Sequence, residues 1–355
     1  MLAKNSKFIN HEIVQFGFIL IGQESSVEVS FTDCVLENSR STSLPMANLN
    51  TLKTVNFETI VLEDIVGTMQ PILQLENIVE SVSIKNLIVN NVSGTTAGVS
   101  DIIVCANFPQ TVTLIEQVYM FNLSLDGIAA IRSNSELDQI QIIDCVFESI
   151  NMGSSDYLIN TGQIKSVILS NITFSNIKTT DDKNTDGVVL FINTFDLNSE
   201  LDTSIQDIII DDCEIPFIVL SSVINETPAN KTFSLSNISF TNTHFENDRI
   251  LISTNNIQLN TSLQIIMSNL VFSNISFSRT GTLIECKQQL PTYLTITGSS
   301  FTDLNAAVIR IESSSTQNDN LTALVQINDT VFDNIDDQYN SLINVNEGGQ
   351  LEINN

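Results

Sequence analysis

The sequence predicts an all-β fold: a right-handed, single-stranded parallel β-helix of about 11 to 12 coils, with three strands per coil and a mean repeat of about 29 residues. Three observations predict it. An apolar register recurs along the chain, Asn or Asp returns at fixed places within that register, and each unit carries a further β-branched run where a helix could have stood.

The register starts at Phe31, Phe57, Ile84, Ile115, Ile142, Leu169, Ile210, Leu235, Met267, Ile296, Ile327 and Ile353. With each start called position zero, an apolar side chain also stands at position minus two, as in Val29, Val55, Val82 and Val325; Thr113 departs from this. Positions three and five repeat the alternation, as in Ile60 and Leu62, or Ile172 and Phe174. Alternation of period two marks a strand, and a shift of three between two alternating pairs marks a bend.

Position two is Asn or Asp in most units, including Asp33, Asn86, Asp144, Asn171, Asp212 and Asn269, while Thr59, Gln117 and Gly298 are the exceptions. Asn, Asp and Gly tolerate a left-handed backbone, so the pattern predicts a left-handed residue at this corner. Position seven repeats it, with Asn38, Asp64, Asn91, Asn122, Asn176 and Asn274 among others, and position eight turns apolar again. Stacked coils would align these side chains into amide ladders.

The later run in each unit, for example 71–75, 101–105, 188–193, 282–286 and 308–311, predicts the remaining strand. A leucine-rich repeat shares positions zero, three and five. It would place Asn at eight, not seven, and a helix or 3₁₀ turn where these runs stand. At position five, Phe147, Phe174, Phe240, Phe272, Phe301 and Phe332 predict rings stacked between neighbouring coils as core.

The domain reading is a partial leading coil over 1–28 and the β-helix over 29–355, uncapped at its C-terminal end, as in a segment of a longer solenoid whose signal and anchor lie elsewhere. The unit after Leu169 is the longest. It carries polar excursions at 178–187 and near 198–203, where binding would be sought first. Formal charge is −27, from 41 acidic and 14 basic residues, which disfavours nucleic acid and anionic membrane surfaces. No run is apolar over the ~18 residues of a membrane span.

Cys34, Cys105, Cys145, Cys213 and Cys286 show no C-x-x-C pairing. Cys34, Cys145 and Cys213 fall on position three of coils too far apart for disulfides, so buried thiols are expected and no metal or cofactor is implied. Of ten N-x-S/T sequons, Asn91, Asn122, Asn171, Asn237 and Asn274 occupy ladder positions. Any glycan is therefore expected on Asn225, Asn230, Asn260 or Asn320 rather than on the ladder sequons.

Asn184-Thr185-Asp186-Gly187 followed by Asp211-Asp212-Cys213 resembles the motif pair of the polygalacturonase family, themselves right-handed β-helices. The resemblance implies that Asp186, Asp211 and Asp212 would supply general acid and base for inverting hydrolysis. Register argues otherwise. Asp212 reads as a position-two corner residue, Asp186 lies in an excursion, and the family's Gly-His-Gly and Arg-x-Lys motifs are missing.

The Phe-Ser-Asn-Ile, Phe-Thr-Asn-Thr and Phe-Asp-Asn-Ile units at Phe174, Phe272, Phe240 and Phe332 resemble repeats of large pectin-lyase-like surface proteins, namely bacterial polymorphic outer-membrane adhesins and giant β-helix proteins of ciliates. The Gly-Gly-Ala-Ile half of the adhesin repeat is absent. The resemblance implies a non-catalytic structural or adhesive stalk at the cell surface or outside the cell. Its partners would be adjoining β-helix coils, other chains of a fibrous assembly, or glycans. The alternatives are a carbohydrate-active enzyme or a carbohydrate- or protein-binding module.

Overall fold

The computed structural model describes residues 26–354 apart from segments 42–46, 68–70, 95–100, 107–110, 126–128, 134–137, 154–156, 162–163, 180–187, 196–201, 216, 224–230, 246–249, 258–262, 279–280, 289–291, 314–322, 337–341 and 346–348, and before them the short strands Leu2–Lys4, Lys7–Ile9, Glu12–Ile13 and Ile19–Gly22. The described residues form strands, turns and bends without a helix, and the paired strands run parallel.

The chain winds as a parallel β-solenoid with two sheets, one of nineteen strands and one of twelve. The first holds long strands such as Glu28–Ser41, Thr54–Gly67, Ser81–Gly94, Asp138–Met152 and Lys231–Phe245. The second takes one short strand from each coil, running from Ile19–Gly22 through Leu73–Glu76 and Thr282–Gln288 to Ile343–Val345. Pairing joins equivalent positions of successive coils, as in Phe31 with Phe57 and Phe57 with Ile84.

Each long strand is bent by two single residues of positive φ. At position two these include Asp33 (53°), Asn86 (51°) and Asn171 (54°), and at position seven Asn38 (50°), Asn91 (51°) and Asn242 (54°). One left-handed residue interrupts the alternation of the strand, so positions zero and three both point inward and the strand turns a corner without a loop. The expected exceptions obey the same geometry: Thr59 has φ 58°, Gln117 56° and Gly298 60°. Gly298 has a second reason to be glycine, since a Cβ there would lie 2.9 Å from the Asn269 side-chain oxygen.

The corner side chains form the anticipated ladders. Asn171 Nδ2 donates to Asp144 Oδ1 at 2.7 Å, Asn237 to Asp207 at 2.8 Å, and Asn269 to Asn237 at 3.0 Å. At position seven, Asn274 donates to Asn242 at 3.0 Å and Asn176 to the Ser149 hydroxyl at 3.1 Å. Asn91 reaches Asp64 in the same way.

The register of one coil is corrected. Leu169 pairs with Ile205, and Ile205 with Leu235, so Ile205 occupies position zero and Ile210 position five. Asp207 (φ 56°) is then the position-two corner, Asp212 (φ 52°) is the position-seven corner, and Cys213 sits at position eight. The long unit shortens to a spacing of 36 residues and the next lengthens to 30. Asp202 and Thr203, read as part of an excursion, belong to the strand Asp202–Cys213. Lys178 and Thr179 likewise end the strand Ile164–Thr179.

Inside, the apolar inward side chains of the coils from Val29 to Ile327 join one continuous core. Position-five rings stack: Phe147 on Phe174 at 5.1 Å, then Phe240, Phe272, Phe301 and Phe332 at 6.0, 5.3 and 5.3 Å between successive centroids. Ile210 separates the two stacks, because it is the position-five residue of its coil. Elsewhere, Phe31 stacks on Phe57 at 5.1 Å and Phe245 on Phe277 at 4.9 Å. Gly281 lies against the Phe277 ring, and a Cβ added there would collide with the ring's Cγ. Gly281→Ala is expected to push that ring out of its stack and lower stability by about 1–3 kcal/mol, read as a fall in the urea midpoint.

The corrected register also pairs two exceptions. Thr113 and Thr203 both occupy position minus two, both are buried, and both hydroxyls lack a hydrogen-bond partner. An unsatisfied buried hydroxyl opposes folding, whereas the valine methyl that would replace it does not. Thr113→Val and Thr203→Val are each expected to raise stability by about 1 kcal/mol, seen as a higher denaturation midpoint at unchanged m-value. A lower midpoint would contradict this.

Candidate functional site

Corners place Asp211 and Asp212 on the outside of the solenoid, at positions six and seven of the Ile205 coil. The left-handed φ at Asp212 points its side chain away from the core, and Cys213 resumes the interior. Asp211 Oδ1 accepts from the Thr241 hydroxyl at 2.8 Å and from Asn242 Nδ2 at 2.7 Å. Asp212 Oδ2 lies 3.7 Å from Lys178 Nζ, which is also 3.8 Å from Glu214. Asp211 thus takes its place in the ladder to the next coil, and Asp212 in an exposed ion-pair cluster. Asp186, the third acid of the motif pair, lies outside the described residues, as do the glycan candidates Asn225, Asn230, Asn260 and Asn320. The ladder sequons behave as read: Asn91, Asn122, Asn171, Asn237 and Asn274 each donate an amide hydrogen bond to the preceding coil.

All five cysteines are buried thiols outside any disulfide. Burial pushes the Cys145 and Cys213 thiols up to about 12, despite backbone hydrogen bonds that favour the thiolate. Since the thiolate is the reacting form, these two are inert at neutral pH. Ellman's reagent is expected to leave them untouched in the folded chain and to titrate them after unfolding. Fast labelling of Cys145 or Cys213 under native conditions would contradict it. Among the described residues, no group of three or more His, Cys, Asp or Glu is placed to hold a metal ion. No helix there is long and apolar enough to cross a membrane.

Two buried acids escaped the sequence reading. Asp101 is 2% exposed, and its Oδ1 accepts the Ala129 backbone N–H at 2.8 Å, bridging to the next coil. Its Oδ2 lies 2.9 Å from Arg132 Nε. Burial raises the Asp101 carboxyl above its usual range, opposed by the Arg132 charge and the Ala129 N–H. Glu285 is equally buried and faces Arg310 across paired strands at 3.4 Å. Both pairs stand at the second sheet and its entry. The only signal in the sequence is an acid beside apolar residues, as in Asp101-Ile102-Ile103.

No family model and no curated protein matches the chain.

Proposed function

We propose that this chain is a structural or adhesive stalk module of the pectin-lyase-like type, belonging to a large surface or extracellular filament protein. One observation carries the reading: the side chains that resemble a catalytic pair serve the repeat. Asp211 accepts two hydrogen bonds from the next coil, and Asp212 is the left-handed corner residue that neighbouring coils fill with Asn. A rod built of equivalent coils gains length by repetition, and each added coil is stabilised mainly by its neighbours. Adjoining coils, other chains of a fibrous assembly, or glycans are the partners that fit such a module.

The test has two arms. Antibody against the chain is expected to label intact, unpermeabilised cells or their shed filaments, and external protease is expected to remove the label. The purified chain is expected to release no reducing ends from polygalacturonate. Release that disappears in Asp211→Asn and Asp212→Asn would replace the stalk with a hydrolase.

A further inference from the structure

Besides its core ladder, the solenoid carries on the outside a ladder that is apolar but for Thr173, at position four of the middle face. Val61 pairs with Ile88, Ile88 with Tyr119, Tyr119 with Val146, Val146 with Thr173, and Thr173 with Ile209. Ile88 is 39% exposed, and Tyr119 and Ile209 are each 50% exposed. The half-buried Phe121 widens the strip beside Tyr119. Scattered apolar residues on a surface need no explanation, but a contiguous strip does.

Geometry limits what can cover it. The backbone groups of these strands are taken up by the coils on either side, so this face cannot accept an added strand and must dock side chains. Successive position-four residues lie about 4.8 Å apart along the axis, close to the ~5.4 Å pitch of an α-helix. The five intervals from Val61 to Ile209 span about 24 Å, which a helix of about 16 residues covers. Such a helix would present one residue of an i, i+3/i+4, i+7 stripe to nearly every coil.

Charge selects the occupant. Glu63 and Asp64 border the strip at one coil, Asp144 and Glu148 at another, and Asp207 and Asp211 at a third. Two lysines of the same sheet are already engaged: Lys85 lies 2.8 Å from Glu116, and Lys178 pairs with Asp212. A second copy of a chain of charge −27 would set acidic border against acidic border, and an anionic membrane would be repelled in the same way. We propose that this strip is a lateral docking site for a basic amphipathic helix of a partner protein, its apolar stripe on Ile88, Tyr119 and Ile209 and its Lys or Arg flanks on the bordering carboxylates. The inference goes beyond the stalk reading and does not depend on it.

The chain contains no Trp, so a synthetic 18-residue helical peptide with a Leu stripe, Lys flanks and one Trp reports its own binding by fluorescence. The Lys peptide is expected to bind the wild-type chain, to weaken about tenfold when salt screens the border charges, and to weaken at least about tenfold on Ile88→Thr/Tyr119→Thr/Ile209→Thr, a variant of exposed side chains. On the wild-type chain, a photo-crosslinker in the Leu stripe is expected to mark position-four residues. The proposal is overturned if the Lys peptide does not bind, if a Glu-flanked peptide binds as well, or if crosslinks map elsewhere. It is overturned equally if the triple variant, folded by circular dichroism, binds as tightly as wild type. A wild-type dimer in sedimentation that the triple variant abolishes would assign the strip to a second copy instead.

Discussion

Phe272→Ala is expected to destabilise the solenoid by about 3–5 kcal/mol, in the range found when a buried aromatic is truncated. Phe272 is 1% exposed and lies between Phe240 and Phe301, with centroids at 6.0 and 5.3 Å and planes within 10° and 9° of parallel. Truncation removes both ring contacts and leaves a cavity whose walls are strands paired above and below, so little can move in to fill it. Because each coil contacts only its neighbours, the damage should be local. Hydrogen exchange is expected to quicken first in the coils of Leu235, Met267 and Ile296 and last around Phe57. Phe332, half-buried at the end of the same stack with one ring neighbour at 5.3 Å, is the control, and Phe332→Ala is expected to cost less than half as much. Equal losses at the two sites, or a loss under about 1 kcal/mol at Phe272, would contradict the stacked core.

Arg132→Met is expected to cost about 3–5 kcal/mol near neutral pH, because it leaves the buried Asp101 carboxylate without its cation. The effect depends on pH in a definite direction. The folded-state pKa of Asp101 is raised above its unfolded value, chiefly by burial. Its contribution to stability is therefore fully present below the unfolded value and is lost as pH rises through the folded one. Removing Arg132 takes away the largest influence holding that pKa down, so the folded value rises further and the window of loss widens. The deficit of Arg132→Met relative to wild type is expected to shrink on acidification toward pH 4 and to be largest in mildly alkaline buffer, measured by urea denaturation across pH. In Asp101→Asn, which keeps an oxygen to accept the Ala129 N–H, the stability profile should lose this pH dependence. A deficit independent of pH would mean that Arg132 contributes packing by its stem rather than charge.

These two sites differ in how far the sequence revealed them. Phe272 was legible as core because it repeats with Phe240, Phe301 and Phe332 at one register position, and ladder pairing makes a repeated position a spatial neighbour. Arg310 stands in the same column of the second sheet as Arg132, but its acid, Glu285, lies in that column too, whereas Asp101 precedes its strand, so the Asp101–Arg132 arrangement itself does not repeat. Their meeting depends on how the chain enters the second sheet, where strand lengths and loop lengths vary and no periodicity carries the information. The outward strip was partly legible, since Val61, Ile88, Tyr119 and Val146 share a position in the register as first read, whereas Ile209 joins it only after the register of its coil is corrected.

The sequence by itself determined the alternation of inside and outside, the two left-handed corners, and the amide ladders, because each follows from residue chemistry at short range. Only Asn, Asp and Gly take a positive φ readily, and an apolar residue at each inward position leaves one choice of face. What only the tertiary structure decided is which corner is which in the Ile205 coil. Inward positions minus two, zero, three, five and eight are spaced two, three, two, three, so a shift of five residues maps the pattern onto itself. Ile208, Ile210 and Cys213 fit either way, and so does Asp212, at position two or at position seven. Pairing removes the ambiguity. With Ile210 at zero, Ile218 would have to fill position eight, yet it stands in the second sheet between Leu190 and Ile252. The chain is too short to do both, and closure of the coil selects Ile205.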